Sequence, residues 1–340
     1  MRAAPIVSQA LFTTVLAVSL LAGCSGSPEE RADMNSHAPK EARLITPGAT
    51  AETRALYANL ARLSGSGVLF GHQNTTAYGV EWTGDAGRSD VKDIAGSFPA
   101  VFGWDIGHLE LGETRNLDGI QFEFIRYQII GSYRRGSVTT LSWHMRDLVT
   151  GGTSWDTAPS VRDLIPGGAS HDLLRDALDR FVELNESLVV READGSMTQI
   201  PIIFRPWHEH NGDWFWWGTR DTSEEDFVAL WRFTVEYLRD ERGVTNLIYA
   251  FSPDRSRMNL RRLPESYLYG YPGDEYVDIL GLDNYWDLGH PANRDSIQTR
   301  KQNFVAILEA IVDLAAERGK LAAMTEGGQE AIREEHFWTD

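Results

Sequence analysis

Seven short apolar runs, each closed by polar residues, punctuate the chain: GVLFGHQ (67–73), AVFGWDIG (100–107), VTTLSWHM (138–145), IPIIFRPWHE (200–209), NLIYAFSPD (246–254), VDILGLDNY (277–285) and LAAMTEGG (321–328). Each is too short for a helix and rich in β-formers, so each is read as a strand. Amphipathic stretches lie between them. After Ser223, an N-cap followed by acids, Phe227, Leu230, Trp231, Thr234, Val235 and Leu238 trace one helical face, and Gly243 closes it. Phe304, Leu308, Ile311, Val312 and Ala315 trace another, ending near Gly319. Strand and helix alternating in this way predict parallel βα units.

Two architectures satisfy that alternation. A doubly wound dinucleotide fold asks for a Gly-rich turn after its first strand, and GHQNTTAYG (71–79) contains no G-x-G-x-x-G. Chemically active residues instead close all seven runs: His72, Asp105, His144, Glu209, Asp254, Tyr285 and Glu326. Barrel enzymes build their sites on the carboxyl ends of their strands, so the expectation is a (β/α)8 TIM barrel. A chain of 340 residues accommodates one such domain, expected here over residues 43–340.

The amino terminus reads differently. Residues 1–23 carry one basic residue, Arg2, no acid, and an apolar run too short to span a membrane, which is the pattern of a secretory signal peptide. Leu21-Ala22-Gly23-Cys24 resembles a bacterial lipobox, and Cys24 is the only cysteine, so no intrachain disulfide can form and its thiol is the expected lipidation point. Residues 24–42 then form a polar tether. The expected setting is the bacterial cell envelope, with a monomer held to a membrane surface through its lipid. The net charge of −17 argues against nucleic acid as a partner.

Residues 205–218, RPWHEHNGDWFWWG, combine buried-type aromatics with His, Glu, His, Asn and Asp. Unpaired polar groups cost several kcal/mol in a core, and a row of aromatics is unusual in a loop. Sugar suits both, because pyranose C–H patches lie on indole faces while hydroxyls bond polar neighbours. Glu209 closes the fourth run and Glu326 the seventh, 117 residues apart. Two carboxylates on one rim can act as a proton donor and a nucleophile, the pair that glycoside hydrolysis needs.

RPWHEHNGDWFWWG and TEGG, with FGHQ, SWHM, SPD and LDNYW, resemble glycoside hydrolase family 26, mostly β-mannanases, over roughly residues 50–335. The resemblance implies a retaining barrel hydrolase with no cofactor and no metal. On it Glu209 is the acid/base, Glu326 the nucleophile, and Tyr285 a hydrogen-bond partner of the nucleophile. His208, Trp214, Trp217 and His144 are contacts to the sugar. β-Mannan or manno-oligosaccharide is the expected substrate; the family also holds enzymes for mixed-linkage β-glucan and β-1,3-xylan, and mannobiose-releasing exo-enzymes. Arg205 is expected to pair with a rim acid and hold Glu209, while Asp105 and Asp283 either orient loops or meet substrate.

Two other classes fit parts of the pattern. His208-x-His210 has ligand-like spacing for a metal-dependent hydrolase, with His72, His144 and Asp283 as further ligands. A lipid-anchored sugar-binding protein is the other, though it has no use for two glutamates. Only 14 residues follow Glu326, where an eighth strand and helix need about 30. The expectation is therefore a barrel whose strand 8 and helix 8 are missing from a fragment of a longer reading frame.

Overall fold

A computed structural model describes residues 42–328. The expected leader, Cys24 and the tether through residue 41 lie outside the described residues, as does the segment after residue 328.

All seven expected strands form: β1 (Gly71–Gln73), β2 (Val101–Asp105), β3 (Val138–Ser142), β4 (Ile202–Arg205), β5 (Leu247–Phe251), β6 (Ile279–Asp283) and β7 (Leu321–Glu326). They pair in chain order as one parallel sheet. A doubly wound sheet reverses its order at a switch point. Here the order runs one way from β1 to β7, which is the winding of a (β/α)8 barrel. Seven strands of that barrel lie among the described residues.

Burial along the sheet explains why these runs are strands. Every residue of β5 (LIYAF) and β6 (ILGLD) is buried, the continuous apolar pattern of parallel strands covered on both faces. At the ends of the sheet the pattern loosens. The run expected over 67–73 contracts to Gly71–Gln73, and Val68 (96 %) and Phe70 (54 %) are exposed. The Phe70 carbonyl accepts from Ala100 and Val101, so pairing to β2 begins there without covering the apolar side chains.

Helix α1 (Ala51–Ser64) precedes β1, and α2 (Phe122–Arg134), α3 (His171–Glu186), α4 (Glu224–Glu236) and α5 (Ile297–Arg318) lie in crossovers between strands. The Ser223 hydroxyl accepts from the Asp226 amide and starts α4, whose predicted face is buried. In α5 the buried stripe is Ile307, Ile311, Leu314 and Ala315, while Phe304, Leu308 and Val312 are half-buried, so the predicted face is rotated. Apolar residues occur nearly all round α5, and periodicity alone leaves its inward direction open.

The register shifts once where it matters. Leu282 pairs with Met324 but Asp283 pairs with Glu326, so Thr325 is the extra residue of a bulge at the carboxyl ends of β6 and β7. Bulges re-aim side chains beside functional sites.

Candidate active site

The turn after β4 is built to sort its side chains. Trp207 (φ 50°) and Glu209 (φ 54°) both adopt left-handed backbone, which costs a non-glycine residue of order 1–3 kcal/mol. The surroundings hold that geometry: the Glu209 amide donates to the Ser252 carbonyl at 2.7 Å, and the Glu209 carbonyl accepts from Gly212 at 2.8 Å. Three side chains are fixed in the body of the protein. The Trp207 indole N–H donates to Thr234 Oγ1 at 3.0 Å. His210 Nε2 donates to the Tyr269 carbonyl at 2.7 Å, with its ring stacked 4.1 Å from that of Phe227. Asn211 donates to the Asp254 carbonyl and accepts from its amide. The i, i+2 histidines are thus spent on different neighbours: His210 meets Tyr269 and Phe227, while His208 faces His144.

Glu326 and Glu209 have opposite surroundings. One Glu326 oxygen accepts from the Tyr285 hydroxyl at 2.6 Å and the other from Arg205. Burial alone raises the Glu326 pKa, but the Arg205 charge, the Tyr285 hydrogen bond and the charge of His144 outweigh it and hold the carboxyl below the ordinary glutamate value. Among the described residues no cation bonds to Glu209. Burial, followed by the negative charges of Asp283, Glu326 and Asp254, pushes its pKa well above the ordinary value, against a single 2.8 Å bond from the Trp214 indole N–H. The surroundings thus push the two carboxyls in opposite directions, Glu326 toward the ionised form and Glu209 toward the protonated one.

Arg205 is nearly fully buried, and its second arm donates to Asp283 at 2.6 Å. The expected anchoring of Glu209 by Arg205 is corrected here: its hydrogen bonds go to Asp283 and Glu326. Asp283 accepts further from Ser252 (3.1 Å) and from Thr325, the bulge residue, at 2.8 Å. Asp283 therefore orients Arg205 and the end of β7.

On the other flank, His144 Nδ1 lies 2.7 Å from the buried Asp105 carboxylate, which also accepts from Ser142 at 2.7 Å and from the Gly107 amide at 2.7 Å. Its Nε2 faces His208 Nε2 at 3.1 Å. Asp105 is an orienting carboxylate.

The aromatic run divides unevenly. Trp214 is half-buried beside Glu209, with Arg257 over its ring at 5.1 Å. Phe215, Trp216 and Trp217 are buried. Trp217, expected to touch sugar, packs inward: it stacks 4.4 Å from Phe215 and donates to the His208 carbonyl at 2.9 Å, supporting the turn from beneath. An apolar ring with one hydrogen-bonding edge serves that buried position well. The exposed aromatic is Trp155 (54 %), stacked on His144 with centroids 5.6 Å apart. Its signal was a tryptophan among the turn residues of GGTSWDTAP (151–159).

A βα barrel with one glutamate biased toward the protonated form and one toward the ionised form at the carboxyl ends of β4 and β7, beside exposed indole, has the fold and site of a glycoside hydrolase. The sequence pattern of glycosyl hydrolase family 26 matches residues 45–338, and the chain belongs to that family. It is 34% identical over 329 residues to a mannan endo-1,4-beta-mannosidase of Bifidobacterium adolescentis, covering 95% of this chain and 32% of that protein. A solved family 26 beta-mannanase from Bacteroides ovatus superposes with a TM-score of 0.76 at 40% identity, over 85% of this chain and 80% of that one. An endo-beta-1,4-mannanase from Cellulomonas fimi gives 0.74 at 40% identity, over 84% and 61%. The chain spans between about a third and a half of the length of the first curated relatives it matches.

Proposed function

We propose that the chain hydrolyses β-1,4-mannosidic linkages in mannan, galactomannan or manno-oligosaccharides by double displacement with retained configuration. The opposed protonation of Glu209 and Glu326 carries this reading. Glu326, ionised and aimed by Arg205 and Tyr285, attacks the anomeric carbon while Glu209 gives its proton to the departing glycosidic oxygen. The C–O bond to the leaving sugar breaks as the bond to Glu326 forms. Esterification removes the negative charge of Glu326, one of the charges that hold up the Glu209 pKa, so Glu209 becomes a better base for the water that releases the product. His208, His144, Trp214 and Trp155 are the proposed sugar contacts. The names of the relatives support mannan over other β-glycans. Proton NMR of the first product from mannopentaose tests the route: the β-anomer is expected, and an initial α-anomer overturns it.

We infer further that the protein is exported and lipid-anchored at Cys24 as a monomer. The leader and LAGC (21–24) support this, and among the described residues no helix is long and apolar enough to cross a membrane. Wild type expressed in a bacterium is expected in the detergent phase and Cys24→Ser in the aqueous phase; equal partition rejects the anchor.

A further inference from the structure

A cavity of about 370 Å³ lies between the segments that follow β4 and β5, with Thr219, Arg257, Asn259, Arg262, Glu265 and Tyr269 in its wall. Its described lining residues all come from those two segments, so it adjoins Glu209, at the end of β4, and not Glu326.

Arg257 joins this cavity to the acid. Its guanidinium lies over the Trp214 ring, 5.1 Å from the centroid, and bonds Asp213. The same indole donates to Glu209 at 2.8 Å. Trp214 cannot retreat, because its ring rests against Gly212, where even a Cβ would collide with Cε2, Cζ2 and Cη2. The turn that bears Arg257 is equally fixed. Asp254 caps it by accepting from the Ser256 amide at 2.7 Å, Arg255 is buried in an ion pair with Asp287 at 2.7 Å, and Met258 is buried. Arg257 projects outward from between these anchors.

Folding gains little from the pair it makes. Arg257 (44 % exposed) and Asp213 (55 %) are both open to solvent, and such ion pairs add little stability. As a surface for a ligand the pair is well suited. A guanidinium presents N–H groups in a fixed plane and a carboxylate accepts, which together match the donor and acceptor needs of neighbouring sugar hydroxyls. Arg262 and Glu265 repeat the pairing in the same cavity. Each guanidinium lining it is thus balanced by an acid, so a neutral polyol fits, whereas an anion would meet Asp213 or Glu265.

We propose that Arg257, with Asp213, binds a mannosyl residue on the leaving-group side of the cleaved bond, and so favours substrates that carry sugar there. The proposal rests on the glycosidase reading above. In that reading Glu209 protonates the departing oxygen, and the cavity begins on the Glu209 side, one indole away.

The test compares Arg257→Ala with wild type on mannopentaose and on methyl β-mannobioside, which needs the Glu209 proton but places only a methyl group on the leaving side. The expected loss in kcat/KM is about tenfold on mannopentaose, the size of one hydrogen bond to a charged group, and less than about twofold on the methyl glycoside. Arg257→Lys keeps the charge without the planar fork and should fall between wild type and Arg257→Ala on mannopentaose. Melting followed by circular dichroism checks that the variants are folded, and Asp213→Asn, with the same selective loss expected, decides should Arg257→Ala not fold. Equal losses on both substrates would place the effect on the acid through Trp214, and no loss on either would mean that the cavity takes no sugar. Both results overturn the proposal and leave the hydrolase standing. A wild type inert toward both substrates overturns the hydrolase reading, and this one with it.

Discussion

The ends of β4 and β7 present the same functional group to the same space and treat it in opposite ways. Glu326 receives a guanidinium and a phenol, and its negative charge is stabilised although it is largely enclosed. Glu209 receives one indole N–H and stands among the charges of Asp283, Glu326 and Asp254. Burial pushes both carboxyls toward the neutral form, so it cannot account for the difference. What separates them is where Arg205 sends its two arms, and both go to β6 and β7. One residue on the fourth strand thereby favours the ionised form of a carboxyl on the seventh and leaves the carboxyl four residues along its own chain without a bonded cation among the described residues.

Removing each carboxyl tests that division most severely. Glu326→Ala should lose on the order of 10⁴-fold or more in turnover on every substrate, because no glycosyl-enzyme can form. Glu209→Ala should lose about 10² to 10⁴-fold on mannan, yet still form the intermediate from an aryl mannoside with a good leaving group, with azide speeding its release. Burst kinetics with and without azide distinguish them; identical losses on both substrates would erase the comparison.

Arg205 is the next lever. Arg205→Met leaves Asp283 and Glu326 without their cation and should cost about 3–5 kcal/mol in urea-induced unfolding. It should also move the acidic limb of kcat/KM upward, since the Glu326 pKa rises once the guanidinium is gone. A stable variant with an unmoved limb would mean that Arg205 is not what ionises Glu326.

The smallest effect belongs to Tyr285. Tyr285→Phe should lower kcat about tenfold and raise the acidic limb, in the same direction as Arg205→Met but by less. The wild-type profile is expected to be a bell, falling at low pH as Glu326 takes a proton and at high pH as Glu209 loses its own. Stability linked to Glu326 follows the acidic side only. Its folded pKa is depressed, so that contribution is complete above the pKa of the unfolded chain and disappears as pH falls through the folded value. Urea unfolding from pH 7 downward checks this, and Tyr285→Phe should flatten the slope.

The strands and the two glutamates were legible in the sequence because they depend on local pattern: apolar runs with a polar closing residue mark a barrel rim whatever the loops do. Tyr285 was found the same way, at the end of the sixth run. Sidedness was not legible. WFWW contains three rings that turn inward and one that does not, and nothing in the string says which, since Trp217 earns its buried place by a bond to the His208 carbonyl. Nor could the sequence say that Arg205 would reach Glu326 instead of Glu209, a choice made by the bulge at Thr325 and the position of Asp283. Left-handed backbone at Trp207 and Glu209 was invisible for a simpler reason: neither position is a glycine.

That left-handed turn bears on anyone who would transplant this site. Glu209 takes its position from β5 and the loop after it, through the Ser252 carbonyl and both backbone groups of Asp254. The portable unit is consequently discontinuous, residues 205–212 together with 252–254, and grafting the first segment alone onto another barrel would deliver the right letters with their acid unmoored.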